Sequence, residues 1–227
     1  MKIELIPVIE LNLSYLNNGE LSAPVKDQYS NKEGWANYYR SLLLKSDFSF
    51  NDFSINGYPL LTLDEITQQE DLQKLISKHV YGDTSQTRGE FSTCAFFGGI
   101  IVYINNEMIY KCQCCSTLAE HYGYNYLVEN SQYENIPFLV EGHPCPLATR
   151  EAEKIYIDCN HFPLEPYERP AKSYTISASD LEIAVQRLNS KIQSFAQKLD
   201  TLSSLYGQKV ISDQLVYDHE EYKAILK

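Results

Sequence analysis

Lysine and arginine are scarce along this chain. Nineteen of them stand against 30 aspartates and glutamates in 227 residues, a formal net charge of −11. No segment gathers enough basic residues to hold a phosphate backbone, so nucleic acid and an anionic membrane surface are poor partners. Long apolar runs are missing too: no stretch approaches the roughly 18 residues that a membrane span requires. The opening Met1-Lys2-Ile3-Glu4-Leu5-Ile6-Pro7 interleaves charges with its apolar residues, as a strand does and a signal peptide does not. Cytoplasmic residence is the expectation, and with it reduced cysteines. Phosphate-binding glycine loops, a nucleophile elbow and a helical His-Glu-x-x-His are all missing, so no motif announces a catalytic class.

What is present describes an ordinary folded protein, with 44% hydrophobic and 22% charged residues. At this length the chain can bury a real core, and residues 1–227 read as a single domain. The 18 tyrosines are the oddity. Tyrosine supplies wide amphipathic contact area at modest entropic cost, which suits a binding surface, but it is also an ordinary strand residue. An acidic surface attracts a basic protein or a cation.

Alternation through Ile3, Leu5 and Ile9 predicts a strand, with Pro7 favouring an edge or a bulge. Trp35, Tyr38, Tyr39 and Leu42 share one face of a helix from a cap at Asn31 to about Lys45. A second helix is expected from Thr62, where Thr62 and Glu65 have capping-box spacing, to a stop at Gly82, with Leu72, Leu75 and Ile76 in its stripe. Ala95 to Ile104 is apolar on both faces, as a central strand is, and Asn105-Asn106 suits a hairpin turn. Gly98-Gly99 inside that strand implies close backbone approach or a bulge. The return strand places Met108, Tyr110, Cys112 and Cys114 on one face. A short helix at 118–128, strands at 136–140 and 154–159, and a proline-rich crossing follow. The last element is the cleanest: a Ser179–Glu182 capping box, then Leu181, Val185, Leu188, Ile192, Phe195, Leu199 and Leu202 at steps of four and three, with Gly207 closing. That seam can pair with a second copy of the chain or lie across the sheet; the sequence leaves both open.

Five of the six cysteines and three of the five histidines fall between Cys112 and His161. Cys112, Cys114, His143, Cys145, Cys159 and His161 are the candidate zinc ligands, since soft and borderline donors gather there. Paired two-residue-gap spacings are lacking, and reduced cysteine is also a common buried hydrophobe, so no cofactor is the simpler expectation. A cysteine nucleophile with a histidine base would draw on the same stretch. In Glu141-Gly142-His143-Pro144 the glycine and proline hold the histidine at a strand end, and such loops commonly carry function.

The Cys114-Cys115 pair closing a strand, Leu118 after it, the aromatic helix and Gly142-His143-Pro144 together resemble an uncharacterised family of bacterial proteins. The resemblance spans the middle third of the chain. Where that family would place a tryptophan after the cysteine pair, this chain has Tyr122, Tyr124 and Tyr126. Small acidic cytoplasmic proteins of that kind look like immunity partners of contact-dependent toxins.

The expected fold is α+β: a mostly antiparallel sheet covered by helices and closed by a long C-terminal amphipathic helix at about 179–206. The expected function is non-enzymatic binding of a basic protein through an acidic, tyrosine-rich surface. Glu141, Gly142, His143, Tyr122 and Tyr124 are the contact candidates. The alternative is a zinc-dependent or cysteine-based hydrolase centred on Cys112 to His161.

Overall fold

The computed structural model describes residues 1–13, 16–17, 19–26, 28, 30–50, 52–53, 55, 57–81, 94–112, 116–137, 146–159 and 173–217. Its strands form two four-stranded antiparallel sheets where the sequence suggested one. The α+β class holds, and the long C-terminal helix is present.

The first sheet contains β1 (Ile3–Glu10), β2 (Leu60–Thr62), β3 (Gly98–Ile104) and β4 (Glu107–Tyr110), in the order β2-β1-β3-β4. β1 is an interior strand, against the expectation of an edge at Pro7. The proline is accommodated because it lies one residue past the β2 ladder, which pairs with Val8 to Glu10; there its carbonyl accepts from the Leu63 N–H at 3.3 Å and only the end of the ladder lacks an N–H. Both faces of this sheet are apolar. Ile3, Leu5, Ile9, Ile100, Val102 and Ile104 enter the main core, whereas Val8 and Ile101 join a smaller cluster with Ile55, Tyr58, Leu60 and Cys112. Two-sided burial is what the unbroken apolar run of β3 demands. Asn105 and Asn106 take positive φ values (50° and 66°) and close the β3–β4 hairpin.

A register shift in that hairpin sets Val102 opposite Tyr110 and Tyr103 opposite Met108, leaving Ile109 extra. The bulge breaks the expected alternation: Tyr110 goes to the main core while Met108 and Cys112 meet in the smaller cluster.

α1 (Lys32–Leu43) starts where expected, the Asn31 side chain accepting from the Gly34 N–H. The Thr62–Glu65 spacing forms its contact without a helix. The Glu65 carboxylate accepts from the Thr62 N–H (2.6 Å) and hydroxyl (2.9 Å), closing a turn, and α2 (Gln69–Tyr81) begins beyond it. Leu72, Leu75 and Ile76 are buried as its stripe requires. Gly82, Cys115 and the proline-rich crossing lie outside the described residues.

The second sheet is a meander of β5 (Gln132–Pro137), β6 (Leu147–Glu151), β7 (Lys154–Asp158) and β8 (Ser173–Ser177). It follows α3 (His121–Glu129), which is led in by a 3₁₀ turn at Leu118–Glu120. Arg150 on β6 donates through Nη1 to the carbonyls of Leu127, Val128 and Asn130, supplying a cation to the carbonyl end of α3.

α4 (Ala178–Asp200) packs on β1, α3 and β8. Its cap is Ser177, whose hydroxyl accepts from the Asp180 N–H at 3.0 Å, two residues before the expected box. All seven seam residues, Leu181 to Leu202, are buried within the chain. At about 1.5–3 kcal/mol each, that burial is one of the largest stabilising contributions in the fold. The seam is therefore spent on the chain's own sheets. Gly207, with φ 69°, closes a 3₁₀ turn at Ser203–Tyr206 that follows α4. A short α5 (Ser212–Leu215) then returns to the first sheet, where the Leu215 carbonyl accepts from Phe96 N–H at 2.9 Å.

Candidate functional site

The candidates named from the sequence divide three ways. Cys114, Glu141, Gly142, His143, Cys145 and His161 lie outside the described residues. Cys112 and Cys159 are buried in different apolar clusters, Cys112 with Val8 and Ile101, Cys159 in the main core. Among the described residues no three metal-binding side chains converge. Burial, with help from Glu120, pushes the Cys112 thiol far above its ordinary range, the opposite of what a nucleophile needs. Tyr124 is fully buried in the core, so it presents nothing to a partner. Tyr122 is half-buried, its ring 4.0 Å from His121, whose Nδ1 donates to the Leu118 carbonyl.

Next to Cys112 stands a carboxyl group that no local sequence pattern singles out. Glu120, in the 3₁₀ turn, is 1% exposed and reaches the middle of β3. It accepts from the Ile100 N–H at 3.2 Å and from the Ser116 hydroxyl. It fits because residue 99 is glycine: a Cβ there would lie 2.6 Å from Glu120 Oε2, 2.9 Å from Ser116 Cβ and 3.0 Å from Cys112 Cβ. Burial raises its pKa to about 8, the two hydrogen bonds pulling the other way. Sealed and partnered, it can lock the turn onto the strand but cannot meet a ligand.

Accessible concavities lie at the same end of the sheet, over the C-terminal end of β1. Two of them, each about 430 Å³, share Glu10, Leu11, Asn12 and Phe97. One runs under α1, past Trp35, Tyr38, Tyr39 and Leu42; the other runs past α2, with Leu75, Lys78, His79, Cys94 and Phe96. Phe97, 46% exposed, lies where they meet, its carbonyl accepting from the Glu10 N–H at 2.8 Å.

The α1 arm has a fixed wall. Its rings touch in sequence, Trp35 with Tyr38 at 5.6 Å and edge-on, Trp35 with Tyr39 at 5.4 Å and tilted by 34°. Their polar tips are tied to the preceding segment: the indole N–H donates to the Lys26 carbonyl (2.8 Å), Asn17 Nδ2 to the Tyr38 hydroxyl (3.1 Å) and Gln28 Nε2 to the Tyr39 hydroxyl (2.7 Å). Ring faces are what remain for a visitor.

Glu10 closes β1 on the face opposite Ile9 and is exposed to this arm. Even so, the surrounding protein raises its carboxyl above the ordinary carboxylate range, with Lys111 offsetting part of the effect. Among the described residues it accepts no hydrogen bond and forms no close ion pair. Carboxylates at the neighbouring cavities differ: Asp52 is paired with Arg40 at 2.8 Å, and Asp64 with Lys191.

In the α2 arm, Cys94 Sγ lies 3.9 Å from His79 Nε2, a juxtaposition the sequence did not suggest. The same nitrogen is 2.8 Å from the Cys94 carbonyl, which can only accept, so Nε2 carries its proton and cannot take one from the thiol. Burial lowers the His79 pKa, with hydrogen bonds to the backbone at Cys94 and Ala95 pulling the other way. This pair is an anchor between α2 and the approach to β3.

The sequence places Trp35, Tyr38 and Tyr39 on one helical face, with no binding role assigned to them. The available signal was composition, since a core stripe favours aliphatic residues and this one carries three aromatics with polar tips. Glu10 and Phe97 had no such signal. The chain matches none of the protein-family models, curated proteins or solved structures with which it was compared.

Proposed function

We propose that this protein is a non-enzymatic binding module for a basic protein, and that the double groove over the end of β1 is its contact face. The observation that carries the reading is the meeting of two 430 Å³ concavities at Glu10 and Phe97, lined by anchored rings and a carboxylate with no close partner among the described residues. Aromatic side chains held rigid before binding lose little entropy on contact, and they dominate the energetics of protein interfaces. A net charge of −11 raises encounter rates with a positively charged surface. An immunity protein that covers a basic toxin would have these properties. The hydrolase alternative draws no support from Cys112 or Cys159, both buried.

The test is capture from native lysate by the wild-type protein and by Phe97→Asp, at about 0.1 M and about 1 M salt, where the Debye length falls from about 10 Å to about 3 Å. Phe97 is exposed, so the substitution leaves the core intact. The expected result is a basic protein retained at low salt by the wild type and lost both at high salt and in the variant. Equal recovery by both proteins, or no basic protein recovered, overturns the reading.

A further inference from the structure

The groove offers a visitor an unusual set of groups. Its α1 arm presents ring faces, whose quadrupoles are negative, and one carboxylate, while the Trp35 N–H is already committed to Lys26. Anions find no cation among the described lining residues of that arm, which include neither Lys nor Arg. A wholly apolar visitor would leave Glu10 more deeply desolvated and still unpaired, which is costly. A cation answers both features at once.

Resting on the groove reading above, we infer that the α1 arm receives an arginine side chain from the partner, its guanidinium paired with Glu10 and lying against the rings of Trp35, Tyr39 and Phe97. The chain makes such contacts within itself: Lys111 Nζ stands 4.1 Å from the centre of the Tyr58 ring, and Lys78 Nζ 4.8 Å from that of Phe48. Arginine is favoured over lysine for two reasons. A planar guanidinium can stack on the tilted Trp35–Tyr39 pair while two of its N–H groups reach one carboxylate. It is also more weakly hydrated than an ammonium, so it loses less on entering a concavity that already strips water from Glu10. The mutual anchoring of the rings to Asn17, Lys26 and Gln28 keeps the slot open before the partner arrives.

The experiment uses the sole tryptophan of the chain, Trp35, as its own reporter. Its fluorescence is titrated with three capped pentapeptides that differ only at a central residue between glycines: arginine, lysine or citrulline, the last keeping the shape of arginine without its charge. The arginine peptide should change the emission saturably, with lysine several-fold weaker and citrulline at least about tenfold weaker. Glu10→Gln should weaken the arginine peptide about tenfold. Glu182→Gln, which removes the same charge from an exposed position on α4, should leave it unchanged. Equal binding of citrulline, equal losses in the two variants, or no saturable response to arginine each overturns the assignment. These results are separable from failure of the groove reading, because that reading is decided by the Phe97→Asp capture, which involves no peptide.

Discussion

Two glutamates flank the Gly98-Gly99 step of β3, and their surroundings teach different things. Glu120 is sealed beneath the strand, accepts two hydrogen bonds and leaves no surface for a visitor. Glu10, at the end of the neighbouring strand, is open to a groove and has no close partner among the described residues. Burial raises both carboxyl groups, so the shift alone does not separate structure from function. Partnering and access do. Folding has satisfied one carboxyl group, whereas the other retains the unmet polar demand that a ligand can meet.

The two glycines between them should give the largest effects. At Gly98 a Cβ would lie 2.2 Å from the Val8 carbonyl oxygen and 2.7 Å from Ile9 Cα, at φ +141°. Backbone cannot yield there without parting β1 from β3, so Gly98→Ala should destabilise by at least about 4 kcal/mol and leave little soluble protein. Gly99→Ala meets side chains instead, chiefly Glu120 Oε2 at 2.6 Å, and should displace that carboxylate while the sheet survives. Urea unfolding of both variants checks the ranking. If Gly98→Ala proves the milder change, the close approach of the two strands is not what holds this end of the sheet.

That glycine pair was legible in the sequence as a point of close approach, and so were the Asn105-Asn106 hairpin, the Asn31 cap and the whole α4 seam. Each rests on one residue type obeying one local rule. The division into two sheets was not legible, because β8 is only Ser-Tyr-Thr-Ile-Ser running straight into a helix and carries no boundary signal of its own. The site was less legible than the fold. Glu120 and Glu10 acquire their surroundings from strands and turns far away in sequence, and no local pattern distinguishes them from the other acidic residues. The cysteine-rich stretch drew the eye by composition, yet its described members, Cys112 and Cys159, pack as hydrophobes in separate clusters.

The sealed side of the comparison sharpens through pH. The folded Glu120 carboxyl keeps its proton up to about pH 8, whereas in the unfolded chain it loses it near its ordinary value of 4.5. Between those values the native state binds more protons, so this group's stabilising contribution is complete below the unfolded pKa and is lost as pH rises through the folded one. The slope is at most about 1.4 kcal/mol per pH unit. Glu120→Gln keeps an acceptor for the Ile100 N–H and removes the titration. The variant should therefore lose less stability than the wild type between about pH 5 and about pH 8, as followed by thermal unfolding. Parallel profiles would mean that water reaches the carboxyl and that the seal is incomplete. Glu120→Ala should instead cost about 1–3 kcal/mol near pH 5 by orphaning the Ile100 N–H, a cost that shrinks toward pH 8 because the variant has no carboxyl to charge.

The open side should respond weakly and in the opposite direction. Glu10 carries a charge that its surroundings disfavour and forms no close bond in return, so Glu10→Gln removes a cost without removing a contact. Among the described residues what it loses is the attraction to Lys111, which solvent screens. Melting temperature at neutral pH should stay level or rise slightly, with the change in stability within about 0.5 kcal/mol. The same substitution is expected to weaken the arginine peptide about tenfold, a combination that marks a group kept for binding at some expense of stability. A clear fall in melting temperature would show that Glu10 has a structural partner after all, and would erase the distinction between the two glutamates.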